Sequence, residues 1–146
     1  MNARSRFWWR WLIAATTVVA VFGAGLLLLP APMQQVLGAL YFPAPASPPT
    51  LDARAASYVM FTAAVLGAVM IGWAVMMFLV LLGPFRRGER EAWTMLVVSL
   101  TAWFVPDTAF SLLSGFWPNA VLNVGLGILF AIPLAATSGI FRAPRE

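Results

Sequence analysis

The chain has 146 residues, 62% of them apolar and only 10% charged. A soluble domain carries about 25% charged residues, so the deficit implies that lipid is the main solvent. The absence of cysteine and histidine excludes disulfides, thiolate metal sites, cysteine nucleophiles, and the usual haem or zinc ligand and general base, and no cofactor is expected.

All nine basic residues are arginine, and the formal net charge is +4. They stand in small groups beside apolar segments, a pattern that argues against nucleic acid as a partner. A bilayer core of ~30 Å needs about 20 apolar residues per helix. Four segments meet that length, at residues 11–29, 58–82, 92–113 and 120–140. The expected fold is an all-α, four-helix transmembrane bundle in one domain over residues 1–146.

The chain begins "MNARSRFWWRWLIAATTVVAVFGAG", a basic start before an apolar run, as in a secretory signal. The run is longer than a usual signal core, and no clear small-x-small site follows, so an uncleaved first span is expected. Phe7, Trp8, Trp9 and Trp11 around Arg10 read as an interfacial anchor, rings at headgroup depth and guanidinium towards phosphate.

The longest connection is residues 30–57. Within it "MQQVLGALYF" reads as a short interfacial helix or a re-entrant turn, and "PAPASPP" as extended chain, since each proline disfavours helix at its predecessor. Thr50 is the expected N-cap, with Asp52 in the first turn, so that the second long helix starts near Leu51, above the membrane. A loop this long in so small a chain either covers the outer end of the bundle or meets a partner.

In the second span, Ala63 with Gly67 and Ala64 with Ala68 make two small-xxx-small pairs for close helix approach. Met60, Met70, Met76 and Met77 read as gap-filling or lipid-facing side chains. The inner loop "GPFRRGEREAW" ends this helix at Gly83 and Pro84, with glycine able to take a left-handed cap. Glu89 and Glu91 suit the positive end of the next helix dipole, and Trp93 the interface. Arg86, Arg87 and Arg90 are accounted for by topology control, with anionic lipid as the other reading.

The third span carries the one charge within the four segments, Asp107. Pro106 removes a hydrogen bond to the carbonyl of Ala102 and predicts a kink. Asp107 lies six residues before the end of the span, ~9 Å below the surface. Trp103, Ser111 and Ser114 share its face. The connection "SGFWPN" is short, and Pro118 suits the first turn of the fourth helix. Asn119 and Asn123 stand four apart on that helix, with Asn123 ~6 Å down and so at a depth similar to Asp107. On the second span, Arg54, Tyr58 and Thr62 form a third stripe at the same end.

Arg4, Arg6, Arg10, Arg86, Arg87, Arg90, Arg142 and Arg145 all fall on one side of a four-span chain, and only Arg54 on the other. The positive-inside rule then predicts a plasma (inner) membrane protein with both termini cytoplasmic. A charged aspartate at mid-bilayer costs at least ~2.5–3.5 kcal/mol on insertion scales. Asp107 should therefore have partners, and Asn123, Ser111, Tyr58, Thr62 and Arg54 are the candidates. Three readings stay open. The cluster is an outward-facing pocket, interhelical glue around the Pro106 kink, or part of an ion path, for which the inner half offers no relay.

The short, histidine-poor chain with both termini inside and a polar set at one end of four helices resembles the DoxX-like class of small bacterial membrane proteins. The resemblance is one of topology. It implies a small integral membrane protein, an accessory to a larger membrane system, and assigns no residue a role. The expected function is non-catalytic. The pocket around Asp107, with Asn123, Arg54, Tyr58, Thr62, Ser111, Trp103 and Asn119, would bind a small molecule or lipid. The alternative is a structural or accessory subunit, with a membrane-protein partner or a second copy, in which Asp107 and Asn123 only hold helices together. An enzyme acting on lipid would have only Asp107, Arg54 and Tyr58 for proton transfer.

Overall fold

The computed structural model describes residues 3–42 and 50–141, apart from the side chain of Ile140. Among the described residues the chain is all-helical, with five α-helices and a closing 3₁₀ turn: α1 (Ala3–Leu28), α2 (Pro30–Tyr41), α3 (Ala53–Leu82), α4 (Arg90–Leu113), α5 (Trp117–Thr137) and the turn Ser138–Phe141. Four of them, α1, α3, α4 and α5, are long and apolar enough to cross a membrane. The 30 residues of α3 extend ~45 Å, longer than a ~30 Å hydrocarbon core. α1 begins at Ala3, well before the expected span, and takes in the arginine-tryptophan segment.

The helix ends correct three sequence expectations. Asp52, not Thr50, caps α3: its carboxylate accepts the Ala55 N–H at 2.8 Å, the third amide of the helix and one of the donors an N-terminus leaves free. Gly83 ends α3 with φ −98°, so the left-handed residue of this connection is Gly88, at φ 75°. α5 stops at Thr137 and tightens into the 3₁₀ turn. Pro106 lies within α4, which runs on to Leu113. The "PAPASPP" stretch, Arg142 and Arg145 lie outside the described residues.

Contacts between helices are set by small residues and by indole N–H groups. α1 packs most extensively on α3, α4 on α5, and α1 also on α5. At the α1–α3 contact, a Cβ on Gly67 would meet the backbone N of Leu27 at 2.8 Å and the Cβ of Leu26 at 2.9 Å, and one on Gly23 would meet the Gly67 carbonyl oxygen at 2.9 Å. Only glycine lets two backbones approach so closely. Of the two small-residue pairs, Ala63 and Gly67 are both buried, whereas Ala68 is exposed.

Trp9 Nε1 donates to the Leu81 carbonyl at 2.9 Å, Trp11 Nε1 to Leu129 at 3.0 Å and Trp93 Nε1 to Leu134 at 2.9 Å. Trp73 Nε1 donates to Ser99 Oγ at 2.7 Å. Each bond ties two different long helices. Trp9 and Trp11 thus do more than anchor α1 at an interface, because an indole N–H taken out of water needs an acceptor.

These pairings set the two ends of the molecule. Trp9 meets Leu81, Arg86 lies over Trp9, and Phe85 packs on Phe141. The α1 start, the α3–α4 connection and the 3₁₀ turn therefore share one end, the turn end. The apolar core, including Leu12, Met77, Leu81, Phe85, Leu96 and Phe130, belongs to that half. α2 rests against α1, α3 and α5 at the opposite end, with none of its residues buried. Of the two readings of "MQQVLGALYF", a short helix or a re-entrant turn, the chain takes the helix.

Candidate functional site

The end of α4 shows why the polar residues converge. Ser114 caps the helix and Gly115 follows at φ 79°. The Phe116 N–H donates to Ser111 O at 2.8 Å and the Gly115 N–H to Leu112 O at 3.2 Å, the paired bonds of a Schellman turn. Glycine at the left-handed position lets the chain reverse at once. α5 then starts at Trp117, with Pro118 in its first turn, and brings Asn119 back beside the last turns of α4.

Asp107 accepts three side-chain bonds. Trp103 Nε1 donates to Oδ2 at 3.1 Å, Asn119 Nδ2 to Oδ1 at 3.0 Å and the Ser111 hydroxyl to Oδ1 at 3.2 Å. The same hydroxyl lies 2.7 Å from the Asp107 carbonyl oxygen and 2.7 Å from Asn119 Nδ2. Asn119 Oδ1 in turn accepts from the Tyr41 hydroxyl at 2.9 Å. A carboxylate can only accept, so it fixes the Asn119 amide with nitrogen towards Asp107 and oxygen towards Tyr41. The cluster joins α4, α5 and α2 in one chain of hydrogen bonds. Tyr41 and Phe42 also stand edge-on to Phe116, with ring centroids 5.9 and 6.1 Å away.

Burial pushes the Tyr41 hydroxyl above its ordinary value of 10.0, and the nearby Asp107 carboxylate adds to the rise. Both effects disfavour a phenolate.

The candidate residues divide into three places. Asp107, Trp103, Ser111 and Asn119 meet in the cluster. Asn123 is buried beside them, but its amide faces Thr108 Oγ1 at 3.4 Å. Depth matching singled out Asn123 for Asp107; Asn119 is the asparagine that bonds it, because Phe104, Thr108 and Ser111 form the seam towards α5 and Asp107 sits at its edge. Arg54, Tyr58 and Thr62 are exposed on α3, with Tyr58 at 70%, and none of the three hydrogen-bonds to Asp107. Thr62 returns its hydroxyl to the Tyr58 carbonyl at 2.9 Å. The close approach at Gly67 fixes the rotation of α3, and the stripe ending at Thr62 lies one residue, ~100°, away from the Ala63–Gly67 face.

Sequence reasoning missed Tyr41. An interfacial helix over "MQQVLGALYF" places its last residues level with the ends of α4 and α5, and that depth was the available signal.

A cavity of about 460 Å³ lies between α4 and α5, within the range of small-molecule and cofactor pockets. It is walled by Val97, Leu100 and Phe104 of α4 and by Val124, Ile128 and Ala131 of α5, with Gly127 and Trp93 contributing and Thr101 as its polar wall residue. Asp107 and Asn119 do not line it. Trp103 does, and its N–H bonds Asp107. Its ring packs on Trp73, centroids 5.7 Å apart. Among the described residues no group of three or more acidic, cysteine or histidine side chains is placed to hold a metal ion.

No protein-family model, curated protein or solved structure matches the chain.

Proposed function

We propose that this is a non-catalytic integral membrane protein that holds an amphiphile, with its polar end at the Asp107 cluster and its hydrocarbon chain in the α4–α5 groove. The long helices form a four-helix bundle in the inner (plasma) membrane, both termini cytoplasmic and α2 on the outer face, as the arginine distribution supports. The observation that carries the binding reading is Trp103, which bonds the carboxylate with its N–H and is also a lining residue of the apolar groove. A site built this way offers acceptors at one end and an apolar surface along the rest, which is the polarity of a lipid or detergent-like molecule.

The test is photo-crosslinking in vesicles that contain a phospholipid with a diazirine on its acyl chain. A bound chain labels Phe104, Val124 and Ile128 more heavily than Val69 and Leu79, which are more exposed on α3. Ala131→Leu should remove the excess. Uniform labelling of all faces would sink the proposal.

A second reading has its own support. Asp107 accepts from Trp103 and Ser111 of α4 and from Asn119 of α5, as in a cluster whose work is to hold helices together in an accessory or structural subunit. That reading expects Asp107→Asn to lower thermal stability in detergent while leaving the labelling pattern unchanged.

A further inference from the structure

A second site, independent of the α4–α5 groove, lies at the turn end of the molecule. Among the described residues, six arginines there, Arg4, Arg6, Arg10, Arg86, Arg87 and Arg90, stand with two glutamates, Glu89 and Glu91. Arg87 pairs with Glu89. Arg6, Arg10 and Arg86 have no acidic partner among the described residues.

Whereas Arg87 is held by an acid, Arg86 is held in place by an aromatic ring. Its guanidinium carbon lies 5.0 Å from the centre of the Trp9 ring, a cation–π distance. Trp9 is itself fixed, half-buried, by its bond to the Leu81 carbonyl. The connection that carries Arg86 is pinned beneath by Phe85, 2% exposed and packed on Phe141. Arg6 stands three residues before Trp9, so its side chain starts about 5–6 Å from that of Trp9 on a neighbouring strip of α1. One indole thus has one arginine of α1 and one of the α3–α4 connection beside it. Leu82, next to the Leu81 carbonyl that holds Trp9 and more than half exposed, adds an apolar surface at this end of α3.

We infer that Arg86 and Arg6, set about the fixed ring of Trp9, form a binding site for the phosphate of an anionic phospholipid. Arginine donates in a planar fork that matches phosphate oxygens, and a guanidinium already restrained on a ring loses less freedom when it binds. The apolar flank at Leu82 selects a phosphate that carries acyl chains over a free one.

Native mass spectrometry of the detergent-purified full chain tests this with phosphatidylglycerol, phosphatidylcholine and glycerol 3-phosphate. Phosphatidylglycerol should bind in preference to phosphatidylcholine, and glycerol 3-phosphate at equal concentration should not displace it. Arg86→Gln and Arg6→Gln should each weaken phosphatidylglycerol binding about fivefold, while Arg90→Gln, with the same loss of charge, changes it little. All three positions are exposed, so the variants should fold. Equal losses in all three would mean a diffuse basic surface and overturn the site. Equal binding of the two lipids, or displacement by glycerol 3-phosphate, would overturn the lipid assignment.

Discussion

Asn119 spends its whole amide on the cluster: its nitrogen serves Asp107 and Ser111, and its oxygen takes the Tyr41 hydroxyl. Interhelical hydrogen bonds in membranes average about 0.6 kcal/mol. A double-mutant cycle of Tyr41→Phe with Asn119→Ala, read by thermal unfolding in detergent, should return a coupling of about that size. Tyr41 also makes a prediction in pH. Its folded value is raised, so the folded state holds the phenolic proton more tightly than the unfolded chain. The resulting stabilisation is complete below the ordinary tyrosine range and is lost as pH rises through the folded value. In a Tyr58→Phe background Tyr41 is the one tyrosine left, and its phenolate absorbance should appear at higher pH than in a free tyrosine. Asp107→Asn should bring the transition part of the way back, because burial, the larger cause, remains.

At the scale of elements, glycines and tryptophans decide the packing. Gly67→Ala places a methyl group against the backbone of α1, and neither partner can turn aside. Overpacking of this kind costs typically about 1–3 kcal/mol, so the variant should unfold at markedly lower temperature. Gly72, on the same helix, has open space around the added methyl group. Gly72→Ala should be neutral or stabilising by up to about 1 kcal/mol, since glycine is the poorer helix former. A similar loss in both variants would mean that the effect belongs to the helix and not to the α1–α3 contact. The four long apolar helices and the short α4–α5 connection were legible in the sequence from apolar runs, and the return of Asn119 followed from that connection. The α3 cap shifted by two residues because Asp52, with its extended backbone, reaches the Ala55 amide.

At the scale of the molecule, the arginine groups near the α1 start and in the α3–α4 connection lie at one end, and α2 at the other. A membrane-impermeant maleimide can test the proposed orientation, because the chain contains no cysteine. Ser57→Cys, exposed near the start of α3, should label in intact cells, and Ala3→Cys, exposed at the start of α1, only after permeabilisation. Labelling of Ala3→Cys in intact cells would reverse the topology.

The sequence by itself determined that four helices are long and apolar enough to span a bilayer, and that one carboxylate would have to find partners there. Both follow from counting, because hydrocarbon thickness sets the length of a span and desolvation penalises an isolated charge. Spacing along α4 already set Trp103 and Ser111 beside Asp107, and tertiary structure decided which partners come from the other helices. Helix rotation depends on how two surfaces interlock. The Gly23–Gly67 contact turns Arg54, Tyr58 and Thr62 to the outside, while the Schellman turn after α4 and the lie of α2 bring Asn119 and Tyr41 in. No spacing along one helix records these choices, since each depends on the shape of a neighbour.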